Sequence, residues 1–106
     1  MFDIAKIVGF EWDLGNLDKN KIKHGVSKQE CEEVFANQPV RVFDDEVHSK
    51  LEIRYGALGK TNKGRRLVIF FTVREYKIRI ISARNQDKKD KQLYKRIEEQ
   101  YQKKVR

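Results

Sequence analysis

The amino-acid sequence predicts an α+β domain in which helices pack against an antiparallel sheet. Three observations carry this. Between Leu51 and Ser82, apolar residues alternate with polar ones or run together, the patterns of half-buried and fully buried strands. Helical spacing with capping signals flanks that stretch, at Ser27 on one side and Asp87 on the other. The links between apolar runs are short, which favours a meander of three or four antiparallel strands. With 106 residues and one proline, the chain is read as a single domain spanning residues 1–106.

Ile7-Val8-Gly9-Phe10-Glu11-Trp12 is short, apolar and rich in β-branched and aromatic residues, so it reads as a first strand. Asp13 is placed to cap a helix that runs to about Lys23 and ends at Gly25. Leu14, Leu17 and Ile22 give that helix a thin core-facing stripe. Ser27 and Glu30 then stand at capping-box spacing, with Val26 and Cys31 at the two positions of a hydrophobic staple. Cys31, Val34 and Phe35 continue the second helix until Pro39 stops it. Cys31 is accordingly read as a small core residue and not as a nucleophile.

Leu51, Ile53, Tyr55 and Ala57 alternate with Glu52, Arg54 and Gly56, which predicts a strand with one buried face. Thr61-Asn62-Lys63-Gly64 is a turn. Leu67 to Val73 is apolar almost throughout and predicts a central strand covered on both faces. A tight turn near Arg74-Glu75-Tyr76 leads into a strand over Lys77 to Ser82. Asp87, with Asp90 three residues on, opens a last helix whose stripe is Leu93, Ile97 and Tyr101, joined by Tyr94. The expected order is therefore a strand, two N-terminal helices, an antiparallel sheet and a C-terminal helix packed on it.

Composition narrows the function classes. Hydrophobic residues make up 39% and charged residues 38%, too apolar and too regular for a disordered chain. Lys and Arg number 24 against 16 acidic residues, a formal charge of +8 that predicts attraction to polyanions, nucleic acid foremost. Cys31 is the only cysteine, so an intramolecular disulfide and a multi-thiolate zinc site are both excluded, and a reducing compartment is expected. The N-terminal residues lack a signal-peptide pattern, and the longest apolar run is far short of a bilayer span. A cytoplasmic protein with no membrane partner is expected.

No glycine-rich phosphate loop, no histidine pair at i, i+4 and no Gly-x-Ser-x-Gly turn occurs, so no cofactor is expected. Asp44-Asp45-Glu46 with His48 is the one acidic cluster, but adjacent carboxylates on an extended chain point to opposite faces, which argues against a metal site. The remaining candidates are basic: Lys23-His24, Arg54, Arg79 and Arg84. Glu52, Arg54 and Arg79 would gather on one polar sheet surface if their strands are neighbours. Spacing alone slightly favours a plainer reading, a Glu52–Arg79 cross-strand ion pair worth a few tenths of a kcal/mol.

RNA gives such residues work to do. Cleavage by the internal 2′-hydroxyl needs a base, cations for the pentavalent phosphate and an acid for the leaving oxygen. Arginine suits the middle role because its fork meets two phosphate oxygens and stays charged. His24 or His48 suits proton transfer, with Glu52 an alternative base. Phe43, Tyr55 and Tyr76 are candidates for base stacking, although aromatic residues on strands are more often sheet packing.

Phe10-Glu11-Trp12-Asp13, then Asn20 with Lys23-His24-Gly25-Val26-Ser27, resembles the opening of BrnT-type toxins. Further matches are Glu33-Val34-Phe35, Glu52-x-Arg54-Tyr55 with Gly59, and Arg79-Ile80-Ile81-Ser82-Ala83-Arg84, with Tyr94 ten residues on. The resemblance spans about Phe10 to Tyr94; Asp90 departs from it, standing where Glu is usual. It implies a RelE-like fold, ribonuclease activity that stops translation, and neutralisation by a ribbon-helix-helix (BrnA-like) antitoxin. It also implies operator DNA bound only through the toxin–antitoxin complex. Lys23, His24, Arg54, Arg79, Arg84 and Tyr94 carry over residue by residue.

The resulting expectation is a metal-independent endoribonuclease. His24, Glu52, Arg54 and Arg79 would be catalytic, and Lys23, Arg74, Arg84 and Tyr94 would bind RNA. The rival is a non-catalytic basic module that binds nucleic acid or protein and acts as a co-repressor with its partner.

Overall fold

The computed structural model describes residues 3–12 and 25–105. Among these described residues five strands and two helices occur in the order β1 (Gly9–Glu11), α1 (Lys28–Ala36), β2 (Arg41–Asp44), β3 (Tyr55–Lys60), β4 (Arg66–Arg74), β5 (Lys77–Asn85) and α2 (Lys88–Lys104). Single 3₁₀ turns occur at Ile4–Lys6 and Glu46–His48. The helix expected from Asp13 to Lys23 lies outside the described residues.

The sheet has the order β1-β5-β4-β3-β2. β2 to β5 form the expected antiparallel meander. β1 corrects the expectation of a wholly antiparallel sheet, because it joins β5 in parallel, with Glu11 opposite Arg79. No tight turn links these two strands in the chain, so nothing local dictates their relative direction.

A second correction concerns β3, which begins at Tyr55 and not at Leu51. Leu51 and Ile53 are 103% and 62% exposed. The reason lies in the loop before the strand. Its partner β2 stops at Asp44, and the backbone of Arg54 is tied back to that loop: Asp45 N–H donates to Arg54 O at 2.8 Å, and Arg54 N–H to Ser49 Oγ at 2.9 Å. Without a neighbouring strand, the alternation of Leu51 and Ile53 has nothing to pack on.

β4 is covered on both faces, as its unbroken apolar run predicts. On one face Leu67, Ile69 and Phe71 join Ala57, Ile78, Ile80 and Ala83 beneath Val26, Cys31 and Val34 of the α1 region. The entry of α1 is fixed by the expected reciprocal cap, Glu30 N–H to Ser27 Oγ at 3.1 Å and Ser27 N–H to Glu30 Oε1 at 3.0 Å. Burial, with the nearby Glu30 and Glu32 carboxylates, pushes the Cys31 thiol up to about 12, so it stays a protonated core group.

On the other face α2 lays Tyr94 and Ile97 over Leu58 and Val68. Asp87 and Asp90 cap this helix reciprocally, each accepting the other's backbone N–H at 2.9 Å. Tyr94 is fully buried and its hydroxyl donates to Pro39 O at 2.6 Å. Burial first, then the negative charge of Glu98, pushes this phenol up to about 12.

One irregularity in β5 brings its two arginines to the same side of the sheet. Ile80 pairs with Phe71 but Ser82 with Phe70, so Ile81 is an extra, bulged residue. Arg79 lies opposite Thr72 and Arg84 opposite Val68. Thr72 and Val68 share a face of β4, so the two arginines do too.

Candidate functional site

α2 covers only one end of its sheet face. At the uncovered end Phe70, on the central strand, is half-buried, and its neighbour across β3 is Gly56. The absence of a side chain at Gly56 lets the Phe43 ring lie over that position; a Cβ there would run into it. Phe43 and Phe70 then meet edge to face, with centroids 6.4 Å apart and planes at 89°.

Two guanidinium groups converge on Phe70. Arg54 Cζ stands 5.5 Å from its centroid and Arg84 Cζ 6.0 Å. Arg54 reaches this place from just before β3, and Arg84 from the end of β5 beyond the bulge. Each also has a carboxylate. Arg84 Nη1 donates to Asp90 Oδ2 at 2.9 Å, the same oxygen that caps α2. Arg54 Nε lies 3.3 Å from Asp45 Oδ2 and is buried without a directed hydrogen bond. Asp45 in turn meets His48 Nδ1 with both carboxylate oxygens, at 3.0 and 3.1 Å.

A second basic pair stands beside this group. Arg74 forms a bidentate pair with Glu52, Nε to Oε2 at 2.7 Å and Nη2 to Oε1 at 2.9 Å. Arg79, opposite Thr72, has Nη1 3.8 Å from Glu11 Oε1. The hydrogen bond from Arg74 holds the Glu52 carboxyl below the usual range, aided by the charges of Arg74 and Arg79. A carboxylate so held is a poor proton acceptor at neutral pH.

The structure therefore divides the expected constellation. Arg54 and Arg84 meet over Phe70, whereas Glu52 pairs with Arg74 and not, as spacing alone favours, with Arg79. Tyr94 is a further correction: the residue expected to touch RNA is enclosed beneath α2 and serves packing. Tyr55 faces the α1 side, stacked on Phe71 with centroids 5.6 Å apart. Tyr76 is 61% exposed at the turn before β5. Lys23 and His24 lie outside the described residues. Phe70 escapes sequence reasoning because a residue inside an apolar run reads as core. Asp45 and Asp90 escape it as arginine partners because neither is near its arginine in strand register.

Among the described residues no group of three or more His, Cys, Asp or Glu side chains is placed to hold a metal ion. Asp45 and His48 do come together, with Arg54 as their third member.

A family model described as the ribonuclease toxin BrnT of type II toxin–antitoxin systems matches residues 12–90. The chain belongs to the BrnT family. No curated protein matches it. BrnT is a family of ribonuclease toxins, which makes RNA the target and an antitoxin the partner. The matched span contains Asp45, Arg54, Phe70, Arg79 and Arg84, and ends at Asp90, which holds Arg84. Tyr94 falls beyond it. No helix among the described residues is long and apolar enough to cross a membrane.

Proposed function

We propose that this BrnT-family chain acts as a single RelE-like domain, a metal-independent endoribonuclease that cleaves cytoplasmic RNA and thereby stops translation. The observation that carries this reading is the convergence of Arg54 and Arg84 on the Phe70 ring. Two guanidinium groups held over one apolar floor form a clamp that a single phosphodiester can bridge. Each would exchange a carboxylate, Asp45 or Asp90, for phosphate oxygens. In a partly dehydrated site their charge stabilises the pentavalent phosphate more than the ground state, which is the requirement for catalysis.

The chemistry is attack of the 2′-oxygen on phosphorus with expulsion of the 5′-oxygen. Arg79 and Arg74 extend the basic surface along the strand for neighbouring phosphates, and Phe43, 38% exposed, offers an edge for base stacking. Glu52, tied to Arg74, is a weaker choice of base than His24, and Lys23 beside His24 would add phosphate contact.

The antitoxin, in this reading a ribbon-helix-helix protein, covers the same face and so blocks RNA directly. A cationic surface fringed by exposed Val47, Leu51 and Ile53 suits a partner segment that mixes acidic and apolar side chains. Operator DNA would be contacted through the antitoxin.

Labelled RNA incubated with purified protein in excess EDTA, alone and with translating ribosomes, tests the proposal. Cleavage by the wild type to 2′,3′-cyclic ends, lost in Arg54→Ala and Arg84→Ala proteins that keep their melting temperature and weakened in Arg79→Ala, is the expected result. Salt-sensitive RNA binding without cleavage in either setting would replace it with a non-catalytic binding module.

A further inference from the structure

Cleavage needs a proton for its leaving oxygen, and the arginine clamp does not supply one. A guanidinium group serves as a fixed cation and not as a proton donor to a leaving group. One side chain beside the clamp has the right chemistry. His48 stands at the end of the Glu46–His48 turn, and its Nδ1 contacts both oxygens of Asp45. Asp45 is also the carboxylate that faces Arg54, so imidazole and clamp share one anion.

This arrangement is more specific than a surface ion pair. The side chain of Asp45 is only 11% exposed, whereas that of His48 is 59% exposed. The loop holding them is cross-tied: Ser49 Oγ–H donates to Asp45 O at 2.7 Å, while Asp45 and Arg54 are joined through their backbones. With Nδ1 on the carboxylate, ring geometry turns Nε2 away from Asp45. An imidazole oriented by a carboxylate through one nitrogen, with the other left for proton transfer, is a recurring catalytic arrangement.

We propose that His48 is the general acid of the cleavage step and that Asp45 is its positioning residue; this rests on the ribonuclease reading. The 2′-hydroxyl proton passes to the base, the 2′-oxygen bonds to phosphorus, and the bond from phosphorus to the 5′-oxygen breaks. That oxygen takes the Nε2 proton of His48 and leaves as a 5′-hydroxyl. The ring regains its proton from water when the cyclic phosphate departs.

The test compares two short RNAs of one sequence, one ordinary and one with sulfur replacing the bridging 5′-oxygen at the scissile phosphate. A thiolate leaves without protonation, so it removes the need for an acid. His48→Gln should cleave the ordinary RNA about 100-fold more slowly than wild type. It should cleave the sulfur-bridged RNA at close to the wild-type rate. Asp45→Asn should lose a smaller factor and be rescued in the same way. Arg84→Ala, which removes charge from the clamp, should be slow on both substrates. Equal slowing of His48→Gln on both substrates, or no slowing on either, overturns the assignment while leaving the ribonuclease reading in place. Failure of the wild type to cleave either RNA overturns both.

Discussion

Val68 and Phe70 stand two residues apart on the same face of the same strand, yet they meet different surroundings. Val68 lies under α2 with Leu58, Tyr94 and Ile97 and is sealed from water. Phe70 packs against the edge of that cluster, is only half-buried, and carries two guanidinium groups on the part left open. Both positions are apolar in sequence, so the distinction comes from how far a helix reaches. Where α2 covers the sheet, apolar contact stabilises the fold. Where it does not, the same kind of side chain becomes the floor of a polar site. Stability and function are thus divided along one strand, and substitutions at the two ends should have separable effects.

The open end should show the greatest loss. Arg54→Ala or Arg84→Ala should each lower single-turnover cleavage by about 100- to 1,000-fold, with little change in melting temperature. A substantial drop in melting temperature would erase the contrast between the two ends. At the covered end, Ile97→Ala should lower unfolding free energy by about 2–4 kcal/mol in urea titrations, while leaving cleavage per folded molecule unchanged. Tyr94→Phe removes the hydrogen bond to Pro39 O and should cost about 1 kcal/mol, again without loss of activity. Loss of cleavage in a well-folded Tyr94→Phe protein would return this residue to the site.

The covered end also holds the mildest effect. Burial would raise the Glu98 carboxyl, but hydrogen bonds from Arg66 and Lys60 outweigh it and hold the group below its usual 4.5. A depressed carboxylate stabilises the fold at pH values above 4.5, and that contribution fades as pH falls through the lower folded value. These side chains are partly exposed, so about 0.5 kcal/mol is expected. Glu98→Gln should be slightly less stable than wild type at neutral pH and should close that gap in strong acid, as measured by urea midpoints.

Much of this fold is legible in the residues. Ser27 with Glu30 and Asp87 with Asp90 mark both described helices because capping is a local reaction between side chain and backbone. The apolar run from Leu67 to Val73 marks the strand that is covered twice. The direction of β1 and the start of β3 are not legible, because both depend on which strand lies alongside. Leu51 and Ile53 alternate like strand residues but have no neighbour. Tyr94 is readable in two ways: its place in the apolar stripe of the last helix points to burial, and burial is what occurs. The basic character of the site can be read, but not its grouping. That Arg54 joins Arg84, and that Asp45 joins His48 to Arg54, depends on a loop and on strand order, neither of which leaves a periodic trace.

The bulge at Ile81 has a consequence for how this chain can vary. In a regular strand, residues five positions apart face opposite ways, so Arg79 and Arg84 would lie on different sides of the sheet. The extra residue reverses that parity. The site therefore depends on an odd spacing matched by a bulge, a pairing that no single side chain encodes. Deleting Ile81 would leave Arg79 and Arg84 four positions apart in a regular strand, still opposite Thr72 and Val68 and still on one side. Deleting one further residue between them, with no bulge left to absorb the change, would turn Arg84 into the α1 core. Length changes in this segment are expected to be tolerated where they add or remove the bulge itself, and not where they shift the alternation beyond it.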